Sequence, residues 1–135
     1  MNREIKYRGL TSNGNWVYGN LIQGKNGTCY ICSINENPVY KNGDYWYIDS
    51  PCYVVIPETV GQFTGLKDQN GEEVYEGDVL ELNNCGLLIV CFYKGEFKLQ
   101  KLAEYHKKIN LYASISYLEF SVLRGNIYEN PNLLQ

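Results

Sequence analysis

The sequence predicts a mainly β fold, and three observations carry that expectation. The 135 residues include 13 Tyr and 13 Gly; aromatic side chains suit pleated strands and glycine suits tight turns. Asn-Gly, the strongest short hairpin signal, occurs at Asn13-Gly14, Asn26-Gly27, Asn42-Gly43 and Asn70-Gly71. Short runs rich in Tyr, Trp, Val and Ile separate these turns, which indicates a small all-β barrel or sandwich and not βαβ units.

Taken in order, strands are expected near 3–9, 15–23, 28–34, 44–49, 52–56, 73–82, 86–93 and 96–101. Type I′ turns, with positive φ at both central residues, are expected at the Asn-Gly pairs. Lys94-Gly95 and Asn84-Cys85-Gly86 are further turn candidates. A weak internal repeat relates Asn13-Gly14-Asn15-Trp16-Val17-Tyr18-Gly19-Asn20-Leu21-Ile22 to Asn70-Gly71-Glu72-Glu73-Val74-Tyr75-Glu76-Gly77-Asp78-Val79-Leu80, with one extra residue before the second glycine bend. Each copy reads as a turn, a strand, then a Gly bend and a continued strand. At most one or two short helices are expected. One lies between Lys101 and Tyr117, because Leu102, Tyr105, Ile109 and Tyr112 share a helical stripe. The stretch Phe120–Tyr128 reads as a bent strand before the stop at Asn130-Pro131.

The length suits one compact domain or two small ones. The division expected is 1–56, a β-hairpin region, and 57–135, a second β region, with one core shared between them or two. The formal net charge is −3, unevenly spread. Residues 35–83 carry ten acidic side chains against Lys41 and Lys67, between two basic flanks. That pattern argues against DNA binding by the whole surface, which needs a broad cationic footprint. No apolar run approaches the roughly 20 residues that span a bilayer, so no membrane role is expected. Residues 1–8 hold no apolar stretch of a secretory signal. Five cysteines, an odd number, then fit a reducing cytosol, each expected to act as a small and mostly buried hydrophobe.

Few motifs carry chemistry. Cys29-Tyr30-Ile31-Cys32 is the sole Cys-x-x-Cys, and in a strand its two cysteines point to opposite faces, so no zinc site is expected. Asp68-Gln69-Asn70-Gly71 is not a calcium loop, because Leu66 and Gly77 stand where carboxylates are required. Gly61-Gln62-Phe63-Thr64-Gly65 lacks the lysine and spacing of a phosphate loop. His106, the only histidine, sits beside Lys107 and Lys108 in a segment expected to face solvent. No cofactor, metal or catalytic residue is therefore assigned. Three surfaces remain. The acidic run Glu72, Glu73, Glu76, Asp78 and Glu81 would serve an enzyme only if Glu76 and Asp78 converged at a pocket. Lys94, Lys98, Lys101, Lys107 and Lys108 interleave with Phe92, Tyr93, Phe97 and Tyr105, the pattern of a groove that stacks bases and meets phosphates. Trp16, Tyr40, Tyr45, Trp46 and Tyr47 are candidate protein-contact aromatics.

Three blocks of sequence resemble the YopX family of phage and prophage proteins. They are Arg3-Glu4-Ile5-Lys6-Tyr7-Arg8-Gly9 with Trp16-Val17-Tyr18-Gly19, then Pro57–Asp68 with Asn70–Val79, then Gly125-Asn126-Ile127-Tyr128-Glu129-Asn130-Pro131 with Leu133-Leu134. The resemblance implies an SH3-type barrel in the second half, a phage or prophage origin and a bacterial cytoplasm. It implies no reaction. The expectation is a non-enzymatic binding protein whose partner is a host or phage protein. Nucleic acid held by the basic-aromatic segment 92–108 and homo-oligomerisation are the other possibilities.

Overall fold

The computed structural model describes residues 4–33, 39–48 and 51–130, and of residues 39–40 and 45–48 it describes the backbone alone. The chain divides into two compact units, residues 4–62 and the residues from Phe63 onward. Each unit has its own apolar core. No helix among the described residues is long and apolar enough to cross a membrane.

The first unit opens with β1 (Tyr7–Leu10), β2 (Trp16–Gln23) and β3 (Cys29–Cys32). A separate hairpin follows, β4 (Val39–Asn42) with β5 (Tyr45–Ile48), and then β6 (Cys52–Val55). The sheet order is β6-β3-β2-β1, all antiparallel, and the start of β7 (Gly61–Lys67) pairs with β1. Alternation along the strands sends Val17, Leu21, Cys29, Ile31 and Val55 to the core, with Tyr7 and Val60 packed beside them. The turn Pro57–Thr59 locks onto β1: Leu10 N–H donates to Thr59 Oγ1 at 2.9 Å, and Ile56 N–H donates to Leu10 O at 2.8 Å.

Two cysteines are not the unpaired hydrophobes expected of them. The β3–β6 register sets Cys32 directly opposite Cys52 with their Cα atoms 4.0 Å apart, and they form a disulfide. Spacing along the chain does not reveal this, because register is a property of the folded sheet. Of the others, Cys29 is buried, Cys91 half-buried and Cys85 exposed.

The second unit is built on β9 (Asp78–Leu82), β10 (Gly86–Tyr93) and β11 (Glu96–Lys101), flanked by β12 (Ala113–Ser114) and β13 (Val122–Asn126). The order is β12-β11-β10-β9-β13. This is an open sheet and not a closed barrel, since the two-residue β12 and β13 form its edges. One face packs Leu80, Leu88, Val90 and Leu99 against Val74 and Leu118. The other packs Val79 and Ile89 against Leu102. The remainder of β7 and β8 (Glu73–Tyr75) form a hairpin. The chain is thus mainly β, as expected. β7 and β4 lie outside the expected strands, and the run 73–82 is broken into β8 and β9 at Glu76-Gly77. By contrast β2 runs straight through Gly19, so the two copies of the repeat fold differently. The helix expected over 101–117 is α1 (Leu102–His106), five residues long. It ends because Lys108 turns left-handed at φ 56. Ile115–Phe120 then forms a 3₁₀ turn that delivers Leu118 to the core. The bent final strand is present, with its register shift at Leu123/Gly125.

All four Asn-Gly pairs sit in hairpin turns, yet their asparagines do not take positive φ. Gly14, Gly27 and Gly71 lie at φ 85, 87 and 83 and donate to the carbonyls of Thr11, Gly24 and Asp68. Each is a type I turn followed by a left-handed glycine, the three-residue alternative to type I′. A side-chain acceptor at the first turn residue favours this form: Thr11 Oγ1 accepts from Asn15 N–H, and Asp68 Oδ1 accepts from Asn70 and Glu72 N–H. The type I′ turn occurs at Lys94-Gly95, with φ 50 and 84.

Asp68 does more than shape its turn. Its Oδ2 accepts from Leu123 N–H at 2.9 Å, so one buried carboxylate ties the β7–β8 hairpin to β13. Burial pushes its pKa up, but the amides of Leu123, Glu72, Asn70 and Gly71 outweigh burial and hold it below the ordinary 3.8. A depressed carboxyl stabilises the fold above its ordinary pKa, and that contribution vanishes as pH falls through the folded-state value. Asp68→Asn is therefore expected to cost about 2 kcal/mol at neutral pH in urea unfolding. The gap from the parent should narrow as pH drops below 3.8. A gap that stays constant with pH would show that the carboxylate charge is not what holds β13.

Candidate functional site

A cleft of about 290 Å³ opens on the Ile89–Cys91–Gln100 face of the second unit's sheet. Its geometry starts at the Glu76-Gly77 turn. Gly77 N–H donates to Val90 O at 3.0 Å, and Ile127 N–H donates to Gly77 O at 3.1 Å. The turn therefore bridges β10 and the chain that follows β13. Gly77 has φ 93, and a Cβ there would meet the Tyr128 ring at 2.9 Å, so only glycine lets that ring lie against the backbone. Asn126 fixes the opposite side: its Oδ1 accepts from Tyr128 N–H at 2.9 Å and Glu129 N–H at 2.8 Å. Two of the segments that carry the family resemblance, distant in sequence, meet here.

Cys91 and Gln100 form the wall. The Cys91 thiol lies 3.7 Å from Gln100 Oε1, while Gln100 Nε2 donates to the Ile109 carbonyl. Tyr105, Tyr112 and Tyr128 supply the remaining sides, and Tyr112 stacks on Tyr93 at 4.3 Å between centroids. Burial, and then the negative charge of Glu76, push the Cys91 pKa up to about 11. A thiol held in that state is a poor nucleophile.

The sequence candidates scatter around this cleft. Tyr105 lines it, and Tyr93 buttresses it through Tyr112. Lys98 is the cross-strand neighbour of Cys91, but its ammonium lies 2.6 Å from Glu96. Lys94 occupies the β10–β11 turn with Nζ 5.4 Å from the Tyr93 ring centre. Lys101 lines a second, more apolar cleft of about 240 Å³ with Leu99, Leu111 and Tyr117. Lys107 and Lys108 are exposed just past α1, as is His106, the last residue of α1. The lysines adjacent in sequence do not gather at one point. The acidic run separates too. Asp78 is buried and accepts Tyr75 N–H at 2.8 Å, Glu81 pairs with Arg124 at 3.0 Å, and Glu76 alone of the five lines the cleft. Gln100, Tyr112 and Tyr128 were not legible as site residues; for Tyr128 the signal was the Asn126-Ile127-Tyr128 block.

In the first unit, the sheet face opposite the core carries Arg8, Trp16 and Tyr18, and then the cross-strand row Ile22–Tyr30–Val54. Tyr18, Ile22 and Val54 are 49%, 48% and 58% exposed. Trp16 is half-buried, with the Arg8 guanidinium 4.6 Å from its ring centre. The backbones of Tyr45, Trp46 and Tyr47 form β5, and Tyr40 lies in β4; their side chains fall outside the described residues.

The thiols give a direct check. With iodoacetamide at mildly alkaline pH, Cys85 is expected to be alkylated first, and Cys91 to resist until the pH is raised toward its pKa. Peptide mass spectrometry reads the order, and fast labelling of Cys91 would contradict the electrostatics of the cleft.

No curated protein matches this chain. Among solved structures it is similar to "protein EF1440 from Enterococcus faecalis", with a TM-score of 0.62 and 22% identity over 99% of this chain and 100% of that one. That likeness speaks to the fold. A family model, "YopX protein", matches residues 6–135. With nearly its whole length matched, the chain belongs to the YopX family.

Proposed function

We propose that this is a small, non-enzymatic binding protein encoded by a phage or prophage and acting in the bacterial cytoplasm. Its partner is a host or phage protein, docked on the outer sheet face of the first unit. The observation that carries this reading is the cross-strand row Ile22–Tyr30–Val54, in which Ile22 and Val54 are exposed and Tyr30 is half-buried, with the exposed Tyr18 on the same face. Apolar side chains exposed side by side mark interaction surfaces. β6 stands at the end of the sheet order, and among the described residues it pairs with β3 alone. The occupant is accordingly an extended segment of the partner that adds to β6 and continues the apolar row. A dispersed acidic run, with Asp78 spent on a turn, supports no acid–base pair. A second reading, single-stranded nucleic acid, is favoured by the Tyr93–Tyr112 stack with Lys94 beside it.

Affinity capture from bacteria carrying the phage, using the parent and an Ile22→Glu/Val54→Lys variant, tests both readings. The expected result is one protein recovered in near-stoichiometric amount by the parent and lost with the variant, whose thermal unfolding stays cooperative. Equal recovery by both would move the contact off this face. A second copy of the chain as the only protein captured would replace the partner reading with self-association. Nucleic acid released by salt, and lost with Lys107→Glu/Lys108→Glu, would put the second reading first.

A further inference from the structure

The four Asn-Gly pairs are not chemically equivalent. The backbone nitrogen after an asparagine can attack that asparagine's side-chain amide carbon, and a glycine there hinders the attack least, having no Cβ. The attack needs a nitrogen that is not committed to a hydrogen bond and a chain able to swing through the required geometry.

At three of the pairs the glycine amide is committed. Gly14, Gly27 and Gly71 donate to the carbonyls of Thr11, Gly24 and Asp68 at 2.9, 3.1 and 3.0 Å. Asn26 is held as well, since its Oδ1 accepts from Thr28 N–H at 3.0 Å. In each of these hairpins at least one strand also pairs with a further neighbour. The Asp68 turn is tied to Leu123 besides.

Asn42-Gly43 differs in both respects. The register sets Asn42 opposite Tyr45, so Gly43-Asp44 is a two-residue turn. Its φ is positive at Gly43, at 63, and not at Asp44, which is the pattern of a type II′ turn with glycine first. Such a turn engages the amide of the residue that closes it, here Tyr45, and points the Gly43 N–H outward. Among the described residues no carbonyl meets it. Asn42, Gly43 and Asp44 are all exposed. Among the described residues β4 and β5 pair only with each other. A two-stranded ribbon of this kind is marginal in water, so it opens at little cost.

We propose that Asn42 is a modification site, at which the Gly43 nitrogen closes spontaneously on the Asn42 side chain. The nitrogen bonds to Asn42 Cγ and gives up its proton, the Cγ–Nδ2 bond breaks, and ammonia leaves. The product is a five-membered succinimide ring. Water then adds to either ring carbonyl and opens the ring. One opening leaves aspartate at position 42. The other leaves isoaspartate, whose main chain runs through the former side chain. Both products add a negative charge, and isoaspartate also lengthens the backbone by a methylene. The step needs no oxidant, reductant or cofactor.

Ageing of the full chain in mildly alkaline buffer, followed by peptide mass spectrometry, tests the site. Electron-transfer fragmentation separates isoaspartate from aspartate. The expected result is conversion at position 42 about tenfold ahead of positions 13, 26 and 70, the order of protection that a turn hydrogen bond gives. In urea, where the turns are lost, the four rates should converge, because each asparagine is followed by glycine. Asn42→Gln should remove the fast phase of ammonia release from the folded protein, since its longer side chain closes a six-membered ring only slowly. Conversion of any of the other three positions as fast as position 42 would overturn the proposal. So would a fast phase that survives in Asn42→Gln, or a ranking unchanged in urea, which would trace it to local sequence and not to the fold.

Discussion

The second unit depends on one buried carboxylate. Asp68 sits at the first position of the β7–β8 turn and spends both oxygens on backbone amides, two in its own turn and one in β13, 55 residues away. A β-sheet satisfies its backbone from within, but a hairpin packed beside a sheet has loose ends that need a side chain. Gln69 N–H adds a parallel link to Ser121 O at 2.9 Å. With β13 pinned there, its register against β9 follows, and so does the path of the chain to Asn126 and Tyr128. The cleft is therefore positioned by a residue that does not touch it.

Hairpins were legible because their signals are local. Each Asn-Gly pair marks a place where the chain must reverse, and glycine there takes the left-handed conformation wherever the turn places it. The turn type was not legible from Asn-Gly alone, because at two of the three turns it is favoured by a side chain two residues earlier. Thr11 and Asp68 offer side-chain acceptors that favour type I. The stripe from Leu102 to Tyr112 had helical spacing, but Lys108 leaves the helix and the 3₁₀ turn supplies Leu118 instead. Periodicity reports which residues are apolar; it does not report where the chain turns. The barrel expected by resemblance is an open sheet because β12 has only two residues to offer a neighbour.

The site was legible only in fragments. Sequence proximity grouped five lysines, and alternation along β11 then sent Lys98 and Lys101 to opposite faces. It also grouped five carboxylates, which the fold gave separate tasks: Asp78 a turn amide, Glu81 a partner in Arg124, Glu76 a place in the cleft. What makes a site is convergence from distant segments. Glu76 and Tyr128 meet because Gly77 bonds to both β10 and Ile127. No local window holds that information.

The Cys32–Cys52 bond has a consequence for how this chain can diverge. It clamps the two ends of an excursion whose described hairpin, β4–β5, pairs only with itself. The entropic cost of closing a loop rises only slowly with its length, and a covalent clasp at the mouth isolates the sheet from what lies beyond. The β4–β5 hairpin is in this sense a cassette. A change in its length is expected to leave the β3–β6 ladder in register. A new recognition surface can thus be gained there while the scaffold beneath stays under its own, separate selection.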